Sequence, residues 1–372
     1  MIRISIPNID EEDLTTISET VKTGFLVQGK KVQEFESILA NYLGVKYTIA
    51  VTNCTAALHL SLLALGVKEN DIVLVPTYSW LSTANVVELI GAKPIFVDID
   101  ENSFNMNPEY LEKKIKELSK NKKNHIKAIL PVYVFGNPTG IDLIKKIAVK
   151  YSIKLIEDAA CALGSKINNT MAGNIGDLSC FSFHPRKAIT TGEGGIIATN
   201  NNKYANYLKA IRNHGLNPNS PTPEFIMAGY NCRMTEFQAA LGITQMKKFN
   251  SILNIRQEKA SYYNQLFSNS KIITPVLDKK FTHSYQTYAI VLPKKTKRDN
   301  ILKELRSKNV EANFGTYNMP STKYFKNKYG YHSKDYPITH DISSRIIALP
   351  LHEQLSEENQ KHIVNIVLNL IK

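Results

Sequence analysis

The segment Ile153 to Ala160, IKLIEDAA, reads as a short strand that is apolar on both faces and ends in two adjacent acids, Glu157 and Asp158. A strand of that kind belongs inside a sheet covered on both sides, the usual setting of parallel strands. Just upstream, TGIDLIKKIAVKY (139–151) returns an apolar residue every three or four positions, the period of one helix face. The same alternation extends outward. Strand-length apolar runs occur at YTIAV (47–51), DIVLVP (71–76), KPIFVDI (93–99) and IKAILPVYVFG (126–136), with a further helical interval at TAALHLSLLALG (55–66). Strand and helix in turn predict an α/β domain over residues 1–245, with a mostly parallel central sheet covered by helices. Residues 246–372 change in texture, with polar helical segments (247–267, 297–309, 356–371) around strand candidates such as THSYQTYAIVL (282–292). That pattern predicts a smaller C-terminal α+β domain.

At 372 residues and 43% hydrophobic, the chain is long enough for a large core in two lobes. The longest apolar run, near residues 56–65, contains His59 and Ser61 and is too short to span a bilayer. The opening MIRISIPNIDEEDLTT lacks the basic and then apolar pattern of a secretory signal. A cytoplasmic protein without membrane association is therefore expected. Cys54, Cys161, Cys180 and Cys232 form no CxxC pair, which suggests neither a disulfide framework nor a metal knuckle. The net charge is +13, but its densest clusters, KKIKELSKNKKNHIK (113–127) and KKTKR (294–298), carry few aromatics for stacking bases. They read as solvated surface rather than a nucleic-acid site, and the excess charge suits a phosphate-bearing small substrate.

Ligands of parallel sheets gather at the carboxyl ends of strands, which is where Asp158 falls. A carboxylate there holds a positive charge on a ligand, caps a helix or binds a metal. Lys187 lies in CFSFHPRKAITTGEGGIIAT (180–199), between a strand-like segment and a Gly-rich turn. A lysine held in such a place and stripped of water is expected to have a lowered pKa and to form imines. Ser182, five residues earlier, offers a hydroxyl to a phosphate on the same side. In TNCTAAL (52–58) a strand turns into a helix, so that Asn53 or Thr55 caps it and the first free N–H groups suit a phosphate. Trp80, the only tryptophan, follows a strand in PTYSWLSTAN (76–85) and offers a ring face to a ligand or to the core.

Taken in order, TNCTAAL, PTYSWLSTAN, GAKPIFVDID (91–100), PVYVFGNP (131–138), IEDAACALGS (156–165), FSFHPRKAITTGEGG (181–195), RNHG (212–215) and GYNCRMTEFQAALG (229–242) resemble the DegT/DnrJ/EryC1/StrS family. These are nucleotide-sugar aminotransferases of the fold type I, aspartate aminotransferase-like group that uses pyridoxal 5'-phosphate (PLP). The resemblance implies Lys187 as the catalytic Schiff-base lysine and Asp158 as the partner of the pyridine nitrogen. It places Thr55, Ala56 and Ser182 on the phosphate and Trp80 over the ring. Asn231, with Arg233 beside it, would reach the phosphate site of a neighbouring subunit, which implies a homodimer with shared active sites. His184, His214 and Arg233 are candidate contacts to the sugar or its diphosphate, with a structural role as the alternative. Cys161 stands where the family usually carries the Gln that contacts the PLP 3-oxygen, and Cys54-Thr55 replaces its usual Gly-Thr.

The implied reaction moves an amino group from L-glutamate to a nucleotide-linked keto-deoxysugar, giving an amino sugar for a surface glycan such as a lipopolysaccharide O-antigen. Ala188 to Gly195, AITTGEGG, is similar to the turn of members that act on 4-keto-6-deoxyhexoses, whereas 3-keto enzymes tend toward LGAYGDGG. The alternatives are a 3-keto sugar aminotransferase and a PLP-dependent sugar dehydratase of the same family. Histidine replaces the lysine in the dehydratase, so Lys187 argues against it.

Overall fold

The computed structural model describes residues 1–371. Seven strands form the main sheet: β1 (Tyr47–Val51), β2 (Ile72–Pro76), β3 (Lys93–Val97), β4 (Ile126–Ile129), β5 (Lys154–Asp158), β6 (Leu178–Ser182) and β7 (Gly195–Thr199). They lie in the order β1-β7-β6-β5-β4-β2-β3. Only β7 runs against the others, pairing antiparallel with β1 on one side and β6 on the other. Eight helices accompany the sheet: α1 (Glu11–Lys22), α2 (Lys30–Leu43), α3 (Cys54–Ala64), α4 (Ser82–Glu88), α5 (Pro108–Leu118), α6 (Ile141–Lys150), α7 (Asn202–Ile211) and α8 (Glu236–Phe267).

Strand period explains how the sheet is covered. Leu74, Ile129 and Leu155 join one buried cluster with Phe35 of α2 and Phe249 of α8. Their chain neighbours Val73, Ala128 and Ile156 join a second cluster with Leu58 of α3, Val86 of α4 and Leu208 of α7. Successive side chains point to opposite faces, so runs apolar at every position require cover on both. The α/β expectation agrees with this architecture.

Two strand expectations need correction. The run 126–136 forms a strand only over Ile126–Ile129. Pro131 offers no N–H to a ladder, and Phe135 (φ 58) and Gly136 (φ 94) turn the chain through a single 3-10 turn. Gly136 is required there, since a Cβ would lie 2.0 Å from Ser284 Oγ. The run 282–292 is likewise a strand mainly over β8 (Tyr288–Val291).

β8 pairs antiparallel with β9 (Ile346–Leu349). These two strands, α9 (Arg298–Ser307) and α10 (Glu357–Leu370) enclose a separate core of Tyr263, Tyr288, Leu305, Ile347 and Val364. Tyr263 belongs to α8, which runs without a break past residue 245, so the division drawn at 245/246 lies inside one helix. Ile2 pairs with Val310 and Ile4 accepts from Leu351 N–H, so the first residues of the chain join the C-terminal lobe.

Glu157 is a fully buried anchor of the sheet edge. Its carboxylate accepts from Gly173 N (3.0 Å), Ile175 N (2.9 Å), Gly176 N (2.6 Å), Ser179 Oγ (2.7 Å) and the Tyr133 hydroxyl. Glu157→Gln would turn an NH₂ toward donors and leave buried groups without acceptors, so it is expected to destabilise the chain by about 3 kcal/mol. Chemical denaturation followed by circular dichroism checks this, and a loss within experimental error would contradict it.

Candidate active site

Strand register assembles one edge. Val51 at the end of β1 pairs with Gly195 at the start of β7, and Gly195 pairs with Ser182 at the end of β6. Asp158, ending β5, pairs with Cys180 of β6. The carboxyl ends of β1, β5 and β6 therefore lie side by side, where ligands of such sheets gather.

After β1 the chain turns into α3. Asn53 is extended and caps the helix, its Oδ1 accepting from Ala56 N–H at 2.8 Å. The Ala56 amide is thus engaged by the cap in this structure. The Thr55 N–H, one residue nearer the helix end, belongs to the first-turn donors that lack partners within the helix. Gly195 closes against this turn. A Cβ there would lie 2.5 Å from both Asn53 C and Asn53 O and 2.8 Å from Cys54 N, so only glycine lets β7 lie so near the helix start.

Lys187 closes a tight turn, its N–H donating to His184 O at 2.8 Å, and its Nζ reaches Cys161 Sγ at 3.1 Å. The cavity around this pair is lined by Cys161, Ser182, Lys187, Ser284 and Gln286. Burial is the largest influence on the Lys187 ammonium and acts to lower its pKa. Cys161, Cys54 and Asp158 together outweigh it, so the free amine is shifted upward. These neighbours oppose the lowering that dehydration alone would give. Cys54, Cys161 and Cys180 are scattered in sequence yet meet near this edge as free thiols.

Asp158 is buried, and burial raises its carboxyl above the ordinary range. The Thr83 hydroxyl donates to Oδ2 at 2.8 Å and Ala160 N–H to Oδ1 at 3.3 Å, both opposing that rise. No Lys, Arg or His among the described residues forms an ion pair with it. A buried acid with two neutral donors and no bonded cation fits a ligand that brings its own positive charge, as the PLP pyridinium does. With the glycine-tight helix start and Lys187 on the same edge, these residues fit the cofactor.

The remaining residues fall into two groups. Trp80 is 60% exposed beside α4, edge-on to Tyr317 with ring centroids 5.4 Å apart, and its carbonyl accepts from Thr83 N–H. His184 turns Nδ1 to Arg186 N–H at 3.2 Å, and burial lowers its pKa. Asn231, Arg233 and His214 form a cluster at the surface. Arg233 Nε donates to Asn231 Oδ1 at 3.0 Å, and its Nη2 lies 3.4 Å from His214 Nε2. Cys232 O accepts from Thr52 N–H, so the cluster borders the β1–α3 turn.

Sequence reading overlooked Thr83, Gly195 and Gln286. Thr83 had a signal, a hydroxyl three residues beyond Trp80 at a helix start, and Gly195 stood in a Gly-rich turn. Gln286 had none, because it arrives from the other lobe.

The DegT/DnrJ/EryC1/StrS aminotransferase family profile matches residues 7–368. The chain is 39% identical to the UDP-4-amino-4,6-dideoxy-N-acetyl-beta-L-altrosamine transaminase of Campylobacter jejuni, over 78% of this chain and 77% of that one. It is 34% identical to the GDP-perosamine synthase of Caulobacter vibrioides, over 84% and 83%. Among solved structures, a Streptococcus pneumoniae protein assigned as a sugar aminotransferase, in its PLP form, superposes with a TM-score of 0.92 at 27% identity, covering 99% of each chain.

Because folding raises the Asp158 pKa, the protonated carboxyl favours the folded state. That stability is fully present below the unfolded-state value and is lost as pH rises through the folded-state value. Cofactor-free Asp158→Asn is therefore expected to gain in Tm over wild type as pH rises above the ordinary carboxyl value, while PLP raises the Tm of wild type more than that of the variant. Thermal melts across this range check both signs. A variant that loses Tm relative to wild type as pH rises would contradict the assignment.

Proposed function

Because this chain belongs to the DegT/DnrJ/EryC1/StrS aminotransferase family and is a PLP-dependent nucleotide-sugar aminotransferase, we propose that it moves the amino group of L-glutamate to C4 of a nucleotide-linked 4-keto-6-deoxyhexose. The observation that carries the reading is the shared edge on which Lys187, Asp158, Ser182 and the start of α3 converge. The choice of C4 is supported by the turn Ala188 to Gly195 and by the 4-amino-4,6-dideoxy sugar in the name of the Campylobacter relative.

In this reading the Thr55 N–H and Ser182 Oγ hold the phosphate, and Asp158, oriented by Thr83, holds the ring nitrogen. Trp80 covers the ring at the rim of the site. PLP, when bound, supplies the electron sink that lets the α-carbon proton of the donor leave. Lys187 Nζ would take that proton as general base and pass it to C4′ of the cofactor, and in the second half-reaction would carry a proton from C4′ to C4 of the sugar. Cys161 Sγ, 3.1 Å from Nζ, holds the amine on this side of the site between transfers. His184 and the surface cluster of His214, Asn231 and Arg233 are the proposed contacts to sugar and diphosphate, with Asn231 offered to the phosphate site of a second subunit in a homodimer. The amino sugar would serve surface-glycan synthesis in the cytoplasm. No helix among the described residues is long and apolar enough to cross a membrane.

Glutamate is expected to bleach the visible absorbance of the purified protein. Lys187→Ala should lose at least about a thousandfold in turnover, the loss of an activated nucleophile and general base together, with its circular dichroism unchanged. Given glutamate and equal amounts of 4-keto-6-deoxy and 3-keto nucleotide sugars, mass analysis should show the 4-keto compound aminated with much the higher kcat/KM. Preference for the 3-keto sugar would overturn the C4 choice, and a fully active monomer would overturn the shared site.

Among mixed chains, Lys187→Ala with Asn231→Ala should recover part of the activity, because one of the two sites in a heterodimer then carries both defects and the other neither. Absence of recovery in a dimer confirmed by light scattering would place Asn231 outside the partner's site.

A further inference from the structure

Gln286 reaches the lysine turn from the C-terminal lobe. Its Oε1 accepts from Ala188 N–H at 2.9 Å, and its Nε2 donates to Arg186 O at 2.6 Å. One planar amide thus brackets the peptide groups on both sides of Lys187. A single side chain that must accept on one side and donate on the other excludes a carboxylate, which only accepts, and an ammonium or guanidinium, which only donates.

The backbone that carries Gln286 is itself fixed. Arg256 of α8, 2% exposed, gives Nη2 to Gln286 O at 2.9 Å and to Tyr285 O at 3.1 Å, and Nε to Tyr285 O at 3.2 Å. Its charge is balanced by Glu353, 3.2 Å from Nη1. Tyr285 stands at φ 46, sparsely populated for a residue with a side chain, and its N–H donates to His283 Nδ1 at 2.8 Å. Burial pushes the His283 imidazole down to about 3, so the ring stays neutral and able to accept at ordinary pH. One residue on, Ser284 Oγ donates to Cys161 O at 2.8 Å. The loop from His283 to Gln286 therefore holds both ends of the Lys187–Cys161 contact, the lysine through its flanking peptides and the cysteine through its carbonyl.

We propose that Gln286 is a positioning residue for Lys187, a clip from the second lobe that fixes the lysine backbone so that Nζ returns to one place between proton transfers. A lysine reaches its target through four rotatable carbons, and a misplacement of about 1 Å costs on the order of a hundredfold in rate. Anchoring the peptide removes the motion that the flexible stem would otherwise amplify. Arg186 O is otherwise reached, among the described residues, by Ser5 Oγ at 3.4 Å, too long to replace the clip. The inference rests on the role proposed for Lys187, but its local geometry can be read without that role.

The test compares PLP-loaded wild type, Gln286→Ala and Gln286→Glu by two measurements. Deuterium uptake at the Ala188 amide reports the clip directly, and the limiting rate and half-saturation of glutamate-driven bleaching report its effect on Lys187. Gln286→Ala should raise Ala188 exchange severalfold and lower the limiting rate about tenfold or more, with half-saturation unchanged. Gln286→Glu keeps the acceptor for Ala188 and loses the donor to Arg186, so it should exchange like wild type and fall between the other two in rate. A limiting rate for Gln286→Ala within twofold of wild type, or a loss confined to half-saturation, overturns the proposal. If Gln286→Ala does not fold, Gln286→Glu decides alone, and a wild-type rate with that variant overturns the proposal. If wild type itself is not bleached by glutamate while Gln286→Ala still speeds Ala188 exchange, the clip stands and the aminotransferase reading of the site fails instead.

Discussion

Two neighbouring acids at the end of β5 face opposite sides of the sheet and meet opposite conditions. Glu157 is buried among five donors that tie the 173–176 loop, the Tyr133 hydroxyl and β6 to one carboxylate. Asp158, one residue on, is equally withdrawn from water but receives two hydrogen bonds and no cation. A buried charge is tolerated where it is surrounded by donors and is costly where it is not. The first acid therefore holds the edge together, and the second stands on that edge with no ion-pair partner among the described residues. Everything else at the site is placed relative to this strand end: Ser182 through β6, the α3 turn through β7, and Lys187 through the loop that joins those two strands.

The single antiparallel strand does the remaining assembly. β7 enters between β1 and β6 from the reverse direction, so its first residue rather than its last lies at the ligand edge. Gly195 is the point of contact, and its missing Cβ sets how closely the lysine loop and the helix start approach each other. The C-terminal lobe then closes the arrangement through Gln286 and Ser284. A cleft of about 600 Å³, lined by Lys294, Arg298 and Arg345, lies elsewhere. Its arginines are already engaged by Asp299 and Asp341, so size alone does not mark the site.

Much of this was legible in the residues. Doubly apolar strands separated by helical periods require a covered parallel sheet, and an acid after IKLIE and a lysine before a Gly-rich turn fall where such sheets bind ligands. What was missed depends on tertiary proximity. β7 follows two glycines that read as turn, and the 126–136 run looked like one long strand although Pro131 and the left-handed Phe135 end it early. The approach of Cys54, Cys161 and Asp158 to Lys187 has no local pattern in the sequence to announce it. Gln286 lies 98 residues beyond Ala188, and no local pattern announces that contact.

The central claim is that the PLP of this enzyme is held covalently by Lys187 and by no other lysine. Borohydride reduction of the purified, PLP-loaded protein, followed by proteolysis and mass mapping, tests it at the level of one atom. The account requires the reduced pyridoxyl phosphate to appear on the peptide containing Lys187, in about one equivalent per chain, one imine-forming lysine per site. Label on a different lysine, or a loaded enzyme that turns over while carrying none on Lys187, would contradict it.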